Sequence, residues 1–180
     1  MSLISHNELV ELVMSGVITA DIERVNGSSI DITLDDVIRV ERKTFCGVVD
    51  LVKKESIKTY EIDLSDQFFL LEPNCFILAS SREMFNLPNN ISAEYKLKSS
   101  MARNGLEHLN AGWCDAGWNN SKLTLELKNM TQCHTLKLTP GMAIGQMVFF
   151  KHKPVPDSES YAIKGQYNNQ EKVTESKGLR

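Results

Sequence analysis

The chain is short of several features, and each shortage removes a class of protein. Positive charge is not in excess: 20 Lys and Arg stand against 23 Asp and Glu, for a net charge of −3. A broad nucleic-acid interface needs a clear basic surplus, so nucleic acid is not expected as a partner and any bound phosphate must be gripped locally. No apolar run approaches the roughly 18 residues that cross a bilayer. Met1-Ser2-Leu3-Ile4-Ser5-His6 lacks the basic start and apolar core of a secretory signal. No membrane association is expected, and the reading is a cytoplasmic chain. Cysteine is scarce: Cys46, Cys75, Cys114 and Cys133 form no C-x-x-C pair, so nothing suggests a small disulfide-stapled scaffold.

Familiar reaction signatures are missing too. There is no Walker loop, no G-x-G-x-x-G and no G-x-S-x-G elbow. His6-Asn7-Glu8 fits the H-x-E half of the zinc-deaminase pattern, but no P-C-x-x-C follows, so a zinc-activated water is not expected. His6, His108, His134 and His152 are scattered and read as surface or packing residues.

What is present suits one domain with a real core: 180 residues, 42% of them apolar. Ser5 and Glu8 have capping-box spacing ahead of an apolar stripe at Leu9, Val10, Leu12 and Val13, with Gly16 as the stop. Ile30 to Leu34 alternates strictly, as a half-buried strand does. Further strands are expected at Val48–Val52, Phe68–Leu71, Phe76–Ala79, Ile91–Leu97, Leu123–Leu127, Thr135–Leu138 and Met142–Phe150. Turns fall at Pro73-Asn74, Leu87 to Asn90 and Pro140-Gly141. Ser99–Leu106 is one of the few helix candidates in the middle of the chain. Many short strands with few helices predict a β-sandwich or distorted barrel over residues 1–160. The polar stretch from about Lys151, and residues 161–180 above all, cannot offset its own ordering entropy. It reads as a mobile tail, either a frayed terminus or a lid that orders over a ligand.

Three segments carry chemical information. Lys98-Ser99-Ser100-Met101-Ala102-Arg103 begins where a strand gives way to a helix, and adds hydroxyls and two cations to free helix N–H groups; Ser-Ser is also an ordinary N-cap. Ala111 to Trp118 packs two Trp, two Gly and Asp115 into eight residues, a pattern of tight turns or close approach to a ligand. In Leu123-Thr124-Leu125-Glu126-Leu127, Thr124 and Glu126 share one strand face and the leucines the other. With the leucines in the core, Glu126 faces a cleft or solvent.

In order and spacing these segments resemble the dCTP deaminases of the deoxyuridine triphosphatase superfamily. The likeness runs from N-G-S-S-I-D-I-T-L (26–34) through K-S-S-M-A-R-N-G-L (98–106), A-G-W-C-D-A-G-W (111–118), L-T-L-E-L (123–127) and P-G-M-A-I-G-Q-M (140–147) to Tyr161 and the 166–170 region. The resemblance implies a mainly β, distorted, jelly-roll-like barrel with few short helices, and a homotrimer whose active sites lie between subunits. It implies hydrolytic deamination of dCTP to dUTP and ammonia, without zinc, with Mg2+ carried on the triphosphate. By the same resemblance Lys98, Ser99, Ser100, Met101, Ala102 and Arg103 hold phosphate, and Ser99, Arg103 and the carbonyl of Ala111 orient the attacking water. Asp115 holds the 3′-hydroxyl, Trp118, Thr124 and Leu125 border the base and sugar, and Glu126 shuttles the proton. Tyr161, Lys164, Gln166 and Gln170 close over the phosphates.

The chain departs from the family pattern at several points. Cys114 stands where Ile or Val is usual, Ala116 where Pro is common, and Asn110 where Thr is common. The loop 119–122 is one residue longer, and Gln166 replaces a phosphate-binding Lys for which Lys164 is the substitute. Ala116 after Asp115 tilts towards relatives that also hydrolyse the product to dUMP and pyrophosphate, with Asp115 activating water. A triphosphatase alone and a non-catalytic nucleotide sensor are the remaining alternatives.

Overall fold

Period-two patterning governs the backbone. The computed structural model describes residues 1–44 and 47–179, and in chain order it forms β1 (Ser2–Leu3), α1 (His6–Met14), β2 (Ile30–Thr33), β3 (Val37–Glu41), β4 (Thr59–Asp63), β5 (Phe69–Leu71), β6 (Phe76–Phe85), β7 (Ile91–Leu97), α2 (Ser99–Ala102), β8 (Leu106–His108), β9 (Trp113–Cys114), β10 (Ser121–Asn129), β11 (Leu136–Leu138), β12 (Ala143–Lys151) and α3 (Tyr161–Lys164). One sheet runs β1-β12-β7-β9, with β2 also paired to β12; a second runs β4-β3-β6-β10-β8; β5 and β11 form a separate ladder. Every ladder is antiparallel.

The two large sheets share one core. Ile30 and Ile32 of β2, Tyr95 of β7, and Met147 and Phe149 of β12 are buried in the same cluster as Ile38 of β3, Ile77 and Ala79 of β6, and Leu123, Leu125 and Leu127 of β10. Burying an aliphatic side chain of this size contributes about 1.5–3 kcal/mol. Every second residue of these strands must therefore point inward, which fixes their register. The expected mainly β fold is what forms, with the qualification that the sheets do not close into a barrel.

Three local expectations are corrected. Val48–Val52 is no strand: Asp50 Oδ1 accepts from the backbone N–H groups of Val52 and Lys53, at 3.0 and 3.2 Å, and this Asx turn diverts the chain into a loop. The helix expected over 99–106 is a single turn, because Gly105 adopts φ +81° and Leu106 already belongs to β8, opposite Asn129. Ser5 sits at the N-cap of α1 but makes no side-chain cap bond, and Glu8 reaches Lys151 at 3.5 Å instead of closing a capping box. No helix among the described residues is long and apolar enough to cross a membrane.

Candidate active site

The candidate site follows from β10. Its residues alternate between buried and half-buried along the whole strand, so Leu123, Leu125 and Leu127 enter the core while Thr124 and Glu126 share the opposite face. That face borders a cavity of about 460 Å3. The segment 111–118 supplies Ala111, Trp113, Cys114, Asp115 and Trp118, and β6 supplies Phe76 and Leu78. Two further walls come from the loop 49–57 and from the C-terminal segment, through Tyr161, Tyr167, Gln170 and Thr174 to Ser176.

Local geometry sets each polar group. Trp113 Nε1–H donates to Asp115 Oδ1 at 2.9 Å, which orients that exposed carboxylate. Asn110 adopts φ +61°, and its N–H donates to the His108 carbonyl at 2.6 Å; the chain thereby bends from β8 into the 111–118 segment. Gly117, at φ +87°, lies so close to Ser160 Oγ that a Cβ there would overlap it. The Trp118 indole stacks on Phe85 at 5.2 Å between ring centroids and donates to the Tyr167 carbonyl at 2.7 Å. Burial pushes the Cys114 thiol well above its ordinary range, with Asp115 adding to the effect. Burial raises the Tyr161 phenol as well.

The C-terminal segment is built into the wall. Gln170 is buried, and its backbone carbonyl accepts from Lys122 N–H at 2.8 Å. Thr174 N–H donates to Thr124 Oγ1 at 3.3 Å, beside Glu126. Glu175 accepts from Arg39 at 3.0 Å and from the Thr59 hydroxyl. The Thr59 hydroxyl is the main reason that the Glu175 carboxyl is held below the usual carboxylate range; burial opposes this and Arg39 reinforces it.

Glu126 has an unusual neighbour at its back. Its Oε2 lies 3.3 Å from Nε2 of His108, whose side chain is 4% exposed. The distance is that of an ion pair, yet the two atoms are not aligned as a hydrogen bond, and neither has another partner among the described residues. The His108 ring packs on Tyr95, with centroids 4.6 Å apart and planes tilted by 58°. The Tyr95 hydroxyl is likewise buried and unpaired, and its pKa is raised by burial first and by Glu126 second.

The single chain brings together Ala111, Asp115, Trp118, Thr124, Glu126, Tyr161 and Gln170 of the residues singled out from sequence. It leaves others outside the cavity. Ser99, Ser100, Ala102 and Arg103 are exposed on the turn after β7, Met101 packs against the core, and Lys98 pairs with Asp31 at 2.7 Å. The Leu125 side chain is fully buried, which leaves only its backbone for reading a ligand. Lys164 pairs with Glu159, and the Gln166 carbonyl accepts from Lys177 at 2.6 Å. Sequence reasoning missed Val49, Leu51, Phe76, Leu78 and Tyr167, together with the His108–Tyr95 pair. His108 lies three residues before Ala111, and that proximity was the available signal.

The charge of the cavity is lopsided. Glu55, Asp115, Glu126 and Glu175 line it, and no Lys or Arg does among the described residues. No group of three His, Cys, Asp or Glu residues is placed to hold a metal ion among the described residues.

The fold and this cleft define a class before any relative is considered: an antiparallel two-sheet domain with an acid-lined cavity on one sheet face. A solved structure of the same fold is the 2′-deoxycytidine 5′-triphosphate deaminase from Agrobacterium tumefaciens, at a TM-score of 0.65 and 24% identity over 82% of this chain and 47% of that one. A family model described as dCTP deaminase-like matches residues 3–152. Among curated relatives, the "dCTP deaminase, dUMP-forming" of Thermobifida fusca (strain YX) is 37% identical over 154 residues, 83% of this chain and 78% of that protein. The one of the same name from Methanosphaerula palustris is 35% identical over 131 residues, 72% and 69% of the two chains. The chain belongs to the dCTP deaminase-like family.

Proposed function

We propose that this chain is a dCTP deaminase that continues to dUMP. Water adds to C4 of cytosine and ammonia leaves to give dUTP; a second water then cleaves the α–β phosphate linkage to give dUMP and pyrophosphate. The expectation of dUTP as final product yields to the dUMP-forming alternative because the curated relatives carry that name. The observation that carries the reading is Glu126 beside Thr124 on the cavity face of β10, in one cleft with Asp115. Deamination needs one group that takes a proton from water and returns it to N3 and the leaving amine, and a half-buried carboxylate suits that role. Asp115 is the candidate for holding the 3′-hydroxyl and for activating the second water.

A cleft lined by four carboxylates repels a triphosphate, so the phosphate grip must come from elsewhere. Lys98, Ser99, Ser100 and Arg103 supply it from a neighbouring copy, with Ser99 and Arg103 also steadying the attacking water; the site is shared across a homotrimer interface. This reading is supported by the exposure of Ser99, Ser100 and Arg103 outside their own chain's cavity and by the closed symmetry that most oligomers adopt. Magnesium fits this arrangement as an ion carried on the triphosphate, where it would neutralise phosphate charge. No step is assigned to zinc. Tyr161, Lys164, Gln166 and Gln170 close over the phosphates as a lid, a reading supported by Tyr161 and Gln170 lining the cavity.

The test is a product assay with Mg2+ and dCTP. Ammonia, dUMP and pyrophosphate are expected from the native chain, and ammonia with dUTP alone would overturn the second step. Glu126→Gln should release no ammonia while still binding dCTP in calorimetry. Full deaminase activity in that variant would remove the role given to Glu126.

A further inference from the structure

We propose that His108, braced by Tyr95, is a positioning residue for Glu126: the imidazole holds one carboxylate oxygen from behind so that the other faces the pyrimidine. The inference rests on Glu126 being the proton carrier. It starts from three buried polar atoms, Tyr95 Oη, His108 Nε2 and Glu126 Oε2, none of which has a hydrogen-bond partner among the described residues. An unpaired buried polar group is costly, and native proteins retain few of them. Two of these atoms face each other at 3.3 Å, and the third belongs to the ring on which the imidazole rests.

The mobilities of the partners differ. His108 is nearly sealed, on a short strand paired to β10 at Leu127. Tyr95 comes from the other sheet, and its ring occupies the space a Cβ at position 145 would need. The imidazole is therefore clamped between two sheets. The Glu126 side chain is 27% exposed towards the cavity, so it is the partner free to turn. Side-chain bonds of this kind are often long or misaligned without substrate and tighten in the reacting complex. A small rotation of Glu126 completes the contact, with His108 Nε2–H donating to Oε2. The carboxylate is then fixed in one orientation through both proton transfers.

A residue that only fills space and a residue that donates a hydrogen bond respond differently to substitution. His108→Phe keeps a ring against Tyr95 and deletes the donor. His108→Gln deletes the ring and keeps an N–H near the position of Nε2. We expect kcat for ammonia release to fall about ten- to a hundredfold in His108→Phe, the scale of a misplaced reacting group, with KM for dCTP within about twofold. His108→Gln should recover most of that loss, and Tyr95→Leu, which unclamps the imidazole, should lower kcat in the same direction as His108→Phe. If His108→Phe fails to fold, His108→Leu gives the same contrast with His108→Gln. Native kcat in the donor-less variant, equal losses in the Gln and donor-less variants, or a change confined to KM would each overturn the proposal. The two readings fail separately: an inert Glu126→Gln with a fully active His108→Phe removes only the role of His108, whereas an active Glu126→Gln removes the proton carrier itself.

Discussion

At position 145 the backbone has no room for a methyl group, because the ring of Tyr95 lies where the Cβ would be. Gly145→Ala must displace that ring, and through it the imidazole it supports. Overpacking a filled core costs about 1–3 kcal/mol, so urea denaturation should show a loss of that size; an unchanged midpoint would mean that the ring moves freely. Single residues were legible in the sequence wherever a strand alternates. Thr124 and Glu126 could be assigned to one face because Leu123, Leu125 and Leu127 claim the other. Tyr95 and His108 could not be paired that way. They belong to different sheets, and strand periodicity says which way a side chain points without saying what it meets.

Among elements, the C-terminal segment departs furthest from its composition. The stretch 166–179 is polar enough to read as unable to order itself, yet it lies along β10 and the β3–β4 ladder through Thr174, Glu175 and Lys172. Its order is borrowed from contacts remote in sequence, which composition does not reveal. The anchor at Glu175 has a pH signature. Its carboxyl is held below the ordinary range by the Thr59 hydroxyl and Arg39, so the folded segment favours the ionised form. That contribution is complete above the unfolded value of about 4.3 and is lost as pH falls through the lower folded value. Limited proteolysis or hydrogen exchange across 166–179 should report release of the segment on acidification. Glu175→Gln should release it already at neutral pH, and equal protection in the variant would show that the anchor lies elsewhere. The one-turn helix at 99–102 and the loop at 48–52 misled the sequence reading for a related reason: one glycine conformation and one Asx turn outweigh the propensity of their neighbours.

For the molecule as a whole the decisive fact is the separation of charge. The acids of the cavity and the exposed Ser99–Arg103 strip lie on different parts of one chain. Spacing alone does not say that one chain keeps them apart; the family resemblance, with its sites between subunits, was the signal in the sequence that pointed that way. Arg103→Ala and Glu126→Gln should each be inactive alone. If the chain assembles as the proposed homotrimer, co-expressing the two should leave roughly a quarter of the sites with an intact Glu126 and an intact Arg103 from its neighbour, by the statistics of a closed ring. Recovery of ammonia release on that scale supports the shared site, and none at all would mean that both residues act within one chain.

If the site is shared between copies as proposed, the lopsided cavity also makes catalysis depend on concentration. A lone chain then holds Glu126 in a cavity that no Lys or Arg lines among the described residues, and dilution acts as an inhibitor that needs no ligand. Activity per chain should then rise with the amount of enzyme until assembly saturates, and nucleotide that bridges two copies should pull them together by mass action.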